Sequence, residues 1–282
     1  MNGGGSMALK WGRASNEENM RRDAGGASML GGSGSHEDAW IDIEPEKGEG
    51  HDQGFEDLLR AGDIDVAVWD MRRVAVELER SLIVAAVPAR TVPWDAMVGR
   101  SVEEISEGAA VAFVRPYQEM RLKGLRPDLQ ARRFWGDEPG ALAALRERAV
   151  EAAVVSVGAL GVASRDASGV HTLGLNQMEP APGQGALALV CRAGDRRTMD
   201  LLESLHDPNT ARAVGVERAF CRTLSPGQRR LCAVHAWREG HHLIAEGGWM
   251  SSGGLRRLRL RADLLHGFAL GRALAVQLTG MG

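Results

Sequence analysis

Short runs of apolar residues, each too brief to make a helix, recur along this chain with helix-length stretches between them. Ile64 to Trp69 (IDVAVW), Leu82 to Val87 (LIVAAV), Ala109 to Val114 (AAVAFV), Ala152 to Val157 (AAVVSV) and Ala186 to Cys191 read as strands, and Ile41-Asp-Ile43 as a shorter alternating one. The intervening helices are Gly54 to Ala61, with Phe55, Leu58 and Leu59 apolar and Gly62 as its stop, Gln118 to Leu125, closed by Arg126-Pro127, and Gly140 to Ala149. This last is rich in Ala, Leu, Arg and Glu, which are strong helix formers. Asp207-Pro208-Asn209 introduces a longer helix, Thr210 to Leu224. Alternation of this kind predicts an α/β protein with parallel sheets. From Cys232 the pattern changes to two or three strands and a closing helix, Leu264 to Leu278. Within it Leu255 to Arg261 (LRRLRLR) has the pattern of a half-buried strand with its arginines on the wet face.

At 282 residues the chain exceeds one ordinary core and implies two or three compact units. Its 44% hydrophobic and 25% charged residues are those of a soluble globular protein. A net charge of −3 exerts no general pull on nucleic acid, and no such partner is expected. No run approaches the roughly 18 apolar residues of a membrane span, and no apolar signal-peptide core stands at the N-terminus. Cys191, Cys221 and Cys232 form no CxxC pair and read as small buried residues of a reducing compartment, which places the protein in the cytoplasm. No metal site is expected, because His241-His242 has no acidic or cysteine partner at ligand spacing. Residues 1–39, rich in Gly and Ser, read as flexible, and no internal repeat is present.

Several segments, in order, resemble the porphobilinogen deaminase (hydroxymethylbilane synthase) family. They are Leu59 to Val68 (LRAGDIDVAV), Ala85 to Ala96 (AAVPARTVPWDA), Leu125 to Leu129 (LRPDL), Pro180 to Leu187 (PAPGQGAL), Cys191-Arg192, Asp207-Pro208 and Glu217 to Phe220 (ERAF). The resemblance covers roughly residues 40 to 282. It implies three α/β domains, the first two resembling the halves of a periplasmic binding protein (type 2) with the active site between them, the third a small α+β domain. On that analogy domain 1 is 40–100 plus about 183–200, with 1–39 joining it if ordered. Domain 2 is 101–182 and domain 3 is 205–282.

The family's chemistry, carried over position by position, meets several substitutions. Members hold a dipyrromethane cofactor by a thioether to a cysteine in a Gly-Gly-Cys-Gln loop, and Gln228 occupies that cysteine's position here. A carboxamide supplies no thiolate, so no dipyrromethane is expected; Cys232, four residues on, reads as a buried cysteine. The catalytic Asp of the family's His-Ser-x-Lys-Asp-Val-Pro loop falls on Arg73 and its Lys on Arg72, in Trp69 to Ala75. At about 4 Å and an effective dielectric near 20, that reversal turns roughly 4 kcal/mol of help for a cationic intermediate into as much opposition. The Thr-Ser-Ser-x-Arg-Arg loop becomes Phe113 to Gln118, so Tyr117 and Gln118 replace two carboxylate-binding arginines. The arginine of a Gly-Asn-x-x-Thr-Arg loop becomes Ala141, and that of a Gly-Leu-Lys-Arg turn becomes Val162. Arg13 and Ser15, in Trp11 to Ser15, keep the look of the family's first anion loop.

The pattern points first to a repurposed enzyme that acts on a small anionic or aromatic molecule without dipyrromethane. Its candidate catalytic pair is Asp70 and Tyr117. Its ligand-binding residues are Arg13, Ser15, Trp69, Arg72, Arg73, Arg115 and Gln184, with Phe113 adding aromatic surface. The alternatives are a non-catalytic ligand-binding or regulatory protein and an orthodox hydroxymethylbilane synthase. A working acid–base pair would favour the enzyme over the binder. The sequence leaves the ligand and the oligomeric state unnamed.

Overall fold

The computed structural model describes residues 9–14, 39–43, 53–160, 168–251 and 253–280. The chain divides into two compact units, one of Met1–Thr91 with Ala186–Ala211, the other of Val92–Gly185 with Arg212–Gly282. The expectations for Ser15, for Val162 and for most of 1–39 lie outside the described residues.

The first unit carries a five-stranded sheet of order β2-β1-β3-β10-β4. β1 (Lys10–Ala14) runs parallel to β2 (Ala39–Ile43) and to β3 (Val66–Asp70). α1 (Gln53–Ala61) precedes β3 and buries Phe55 and Leu59 completely. Gly62, at φ 78°, ends it in the left-handed conformation that favours glycine. Arg192 tethers this end of the helix from a distance, donating to Leu59 O at 2.9 Å and, just past the helix, to Ile64 O at 2.7 Å. β4 (Leu82–Ala86) lies on the far side of β10. Trp11, Val66, Val68, Ala86, Leu189 and Leu202 form the core on one face of the sheet.

The second unit holds two sheets. One has the order β7-β6-β8-β5-β9. β5 is Asp95–Gly99, β6 Ala110–Phe113, β7 Gln130–Arg133, β8 Ala152–Ser156 and β9 Val170–Thr172. α2 (Pro116–Leu125) leaves β6 directly with a proline in its first turn, where a missing N–H costs nothing. α3 (Glu138–Arg146) is capped by Asp137, whose Oδ1 accepts from Gly140 N at 2.8 Å. β10 (Leu187–Arg192) and α4 (Arg196–Leu202) return the chain to the first unit. α5 (Pro208–Thr223) and the single turn α6 (Pro226–Arg229) then lead into an antiparallel meander. Its strands are β11 (Cys232–Glu239), β12 (His242–Ser251) and β13 (Gly254–Asp263), closed by α7 (Gly267–Thr279). α7 crosses α5 at Gly271, where a Cβ would stand 2.2 Å from Val216 O.

Three expectations change. Neither five-stranded sheet is wholly parallel: β10 runs antiparallel to β3 and β4, and β5 antiparallel to β8 and β9. Strand 95–99 hydrogen-bonds in the second unit, so the boundary expected near residue 100 falls at Thr91–Val92. The closing helix starts at Gly267, after a 3-10 turn at Leu264–His266. In β13 Arg256, Arg257, Arg259 and Arg261 are all exposed, as expected, and Arg257 and Arg259 also ion-pair with Glu246 on β12. No helix among the described residues is long and apolar enough to cross a membrane, and no group of His, Cys, Asp and Glu among them could hold a metal.

Candidate functional site

In the first unit, alternation along β3 sends neighbouring side chains to opposite faces of the sheet. Trp69 turns toward α1, 3% exposed, its ring edge-on to Phe55 at 5.8 Å. It is a core residue, as is the fully buried Phe113 in the second unit, and neither offers an open face to a ring-bearing ligand. Asp70 ends the strand and folds back on its own loop. Its Oδ1 accepts from Arg72 N at 2.8 Å and its Oδ2 from Arg72 Nε at 2.8 Å, while Arg73 N donates to Asp70 O at 2.9 Å. The carboxylate expected to act as a catalytic group therefore carries its own counterion. Arg13 contributes backbone to β1.

In the second unit, the parallel strands β6 and β8 end side by side at Phe113 and Ser156. Ligands of open α/β sheets gather at such carboxyl ends. Asp95 stands opposite Ser156 in the register and is wholly buried. Its carboxylate meets the Arg115 guanidinium and accepts from Gln184 Nε2 at 3.0 Å. Burial pushes the Asp95 carboxyl up, and Arg115, Gln184 and Gln118 oppose that rise. Gln184 also donates to Pro93 O at 2.8 Å and accepts from Arg115 Nη1 at 2.7 Å and Ala181 N at 3.2 Å. An amide has two donors and two lone pairs, so these four bonds fill it. Gln184 thereby braces the loop that carries it to Pro93, Asp95 and Arg115. Two buried polar atoms of the cluster, Arg115 Nε and Ser156 Oγ, have no hydrogen-bond partner.

Tyr117 belongs to a different group. Its hydroxyl donates to Glu179 Oε2 at 2.7 Å, in a niche that exists because position 248 is glycine; a Cβ there would sit 2.0 Å from the phenol oxygen. Burial, then the Glu179 charge, push the phenol far above its ordinary range. The structure does not place Asp70 and Tyr117 in one unit. In the loop Pro180 to Gly185 the Gly183 N–H donates to Glu217 Oε2 at 2.7 Å.

The attachment position is equally committed. In α6 the Ser225 hydroxyl accepts from Gln228 N at 3.4 Å and Gln228 Oε1 accepts from Ser225 N at 2.9 Å, a reciprocal cap. Cys232 begins β11 at 4% exposure and its Sγ donates to Arg229 O at 3.3 Å. Burial raises all three thiols, Cys191 to about 11, Cys221 to about 12 and Cys232 well above its ordinary value.

Asp95, Ser156, Glu179 and Glu217 are the polar residues that sequence reasoning passed over. Glu217 and Asp95 lay inside quoted motifs and Glu179 abutted one. Ser156 stands inside an apolar run, Ala152 to Val157, without any signal of its own.

Residues 51–200 match the family model described as porphobilinogen deaminase, dipyromethane cofactor binding domain. A porphobilinogen deaminase of Syntrophotalea carbinolica is 34% identical over 81% of this chain and 74% of its own. One from Limosilactobacillus reuteri is 29% identical over 79% and 75%. The periplasmic aliphatic sulphonate binding protein of Escherichia coli superposes with a TM-score of 0.41 at 16% identity, over 77% of this chain and 70% of its own.

Proposed function

The chain belongs to the porphobilinogen deaminase family, and from that premise we propose that it recognises a small carboxylate- or phosphate-bearing molecule without building dipyrromethane or polymerising porphobilinogen. The observation that carries this reading is the cofactor position. The family's group needs a thioether; Gln228 offers a carboxamide already used as a helix cap, and the neighbouring Cys232 thiol is sealed and held protonated. The residues present do not fit the group.

Recognition is favoured over turnover on two counts. The Asp70 carboxylate is ion-paired with Arg72, and burial holds the Tyr117 phenol protonated far above its ordinary range, so the phenol is not poised to exchange a proton. A repurposed enzyme would have to find its acid elsewhere. The anion contacts we assign are Arg115 Nε and the Ser156 hydroxyl, both in the second unit. Burial of Trp69 and Phe113 removes the case for an aromatic ligand. The unpaired thiols accord with a reducing compartment, and we place the protein in the cytoplasm.

The competing reading, an orthodox hydroxymethylbilane synthase, is favoured by the names of the relatives. Incubation with porphobilinogen separates the two: we expect no consumption, and catalytic conversion to a bilane would overturn the proposal. Melting in the presence of a panel of small carboxylates and phosphates tests recognition itself. At least one should raise the midpoint, and Arg115→Ala should weaken it by about 1.5–3 kcal/mol, the worth of a charged hydrogen bond. No shift from any member of the panel would sink the binding claim.

A further inference from the structure

We propose that residues 179–185 form a strap that makes the second five-stranded sheet and the β11–β13 meander open as one cooperative body, with Glu179 and Glu217 as its two clasps. Both glutamates are wholly buried. Glu179, at the head of the strap, gathers Tyr117 and Arg121 from α2 and Arg257 from β13. One carboxylate thus holds a helix of the sheet layer and a strand of the meander together. Arg257 extends the link to Glu246 on β12 at 2.7 Å, and Glu246 in turn accepts from Arg259 at 2.7 Å. The next residue continues the join along the backbone, where Pro180 O accepts from Val234 N of β11 at 3.2 Å.

Glu217, on α5, is the second clasp. Its Oε2 takes the Gly183 N–H of the strap and its Oε1 takes the Ala236 N–H of β11, at 2.7 and 2.8 Å. His235 Nδ1 lies 3.5 Å from the same Oε1, and its ring sits between Trp94 at 5.1 Å and Trp237 at 5.6 Å. The other side of the strap is braced to the sheet through Gln184, bonded to Pro93 O and Asp95. Peeling the meander from the sheet would strip two buried carboxylates of their protein partners, and a buried charge left without partners is strongly disfavoured. Separate opening is thereby suppressed, and unfolding of the two sheets is made concerted.

Native-state hydrogen exchange of the full chain across a urea series, read by mass spectrometry, tests this. Peptides from β6 and β8 and peptides from β11 and β12 should share one opening midpoint in the parent protein. In Glu217→Gln the meander peptides should exchange at least tenfold faster than the sheet peptides, so that the common midpoint splits. Arg133→Ala, which removes the outlying pair of Arg133 with Glu119, should leave the midpoint common. Two separate midpoints in the parent would overturn the proposal without recourse to any variant, as would a Glu217→Gln protein that exchanges faster everywhere by one factor.

Discussion

Replacing Gly185 by alanine should be among the most damaging single-methyl changes available to this protein. Gly185 sits at φ 76°, where an L-residue costs about 1–2 kcal/mol. The added Cβ would lie 2.7 Å from Val92 O, 3.0 Å from Val92 C and 3.1 Å from Pro93 Cα. All three atoms are backbone, so no side chain can rotate aside, and the overlap adds about 1–3 kcal/mol. The sum, roughly 2–5 kcal/mol, corresponds to a fall of roughly 5–15 °C in the melting midpoint for a unit of this size. Gly215→Ala is the matched control. It lies on the exposed face of α5 with nothing within 4 Å of the new Cβ, and should gain about 0.4–1 kcal/mol. Circular dichroism melts of the three proteins decide the matter. A Gly185→Ala midpoint within about 1 °C of the parent, less than one kcal/mol would produce, would refute the close-approach argument.

Asp207→Ala should cost about 0.5–2 kcal/mol, because Asp207 Oδ1 accepts from Thr210 N at 2.6 Å as the cap of α5. The Thr210 backbone bond holds the Asp207 carboxyl below its ordinary value. Its contribution is therefore complete above the unfolded value and fades as pH falls through the folded one, so parent and variant melts should converge in acid. The buried thiols, Cys221 at about 12 and Cys191 at about 11, should react with an aromatic disulfide at pH 8 only after unfolding; rapid labelling of the native protein would contradict their placement.

The strands that announced themselves are those buried on both faces, such as Ala152–Ser156, whose five residues are all buried. Those missed depend on partners that local sequence does not name. Gln130–Arg133 (QARR) is a polar edge strand formed by pairing with β6, and Val170–Thr172 is a three-residue strand formed by pairing with β5. The same reason explains the site. Arg115 has the look of a ligand cation, but local sequence does not name the carboxylate 20 positions upstream and the amide 69 positions downstream that hold its Nη atoms in place. Trp69 has the look of an aromatic platform, but strand alternation turns it toward α1. Residue types at the family's positions were legible; which of them would neutralise one another was a property of the folded chain.

The account stands or falls on whether this protein carries the family's covalent cofactor. Intact-mass spectrometry of the protein purified from cells that make porphobilinogen measures this directly. We predict one species at the mass of the bare chain, 30.3 kDa. A population heavier by two pyrrole units, whether on Cys232 or on another side chain, would contradict it.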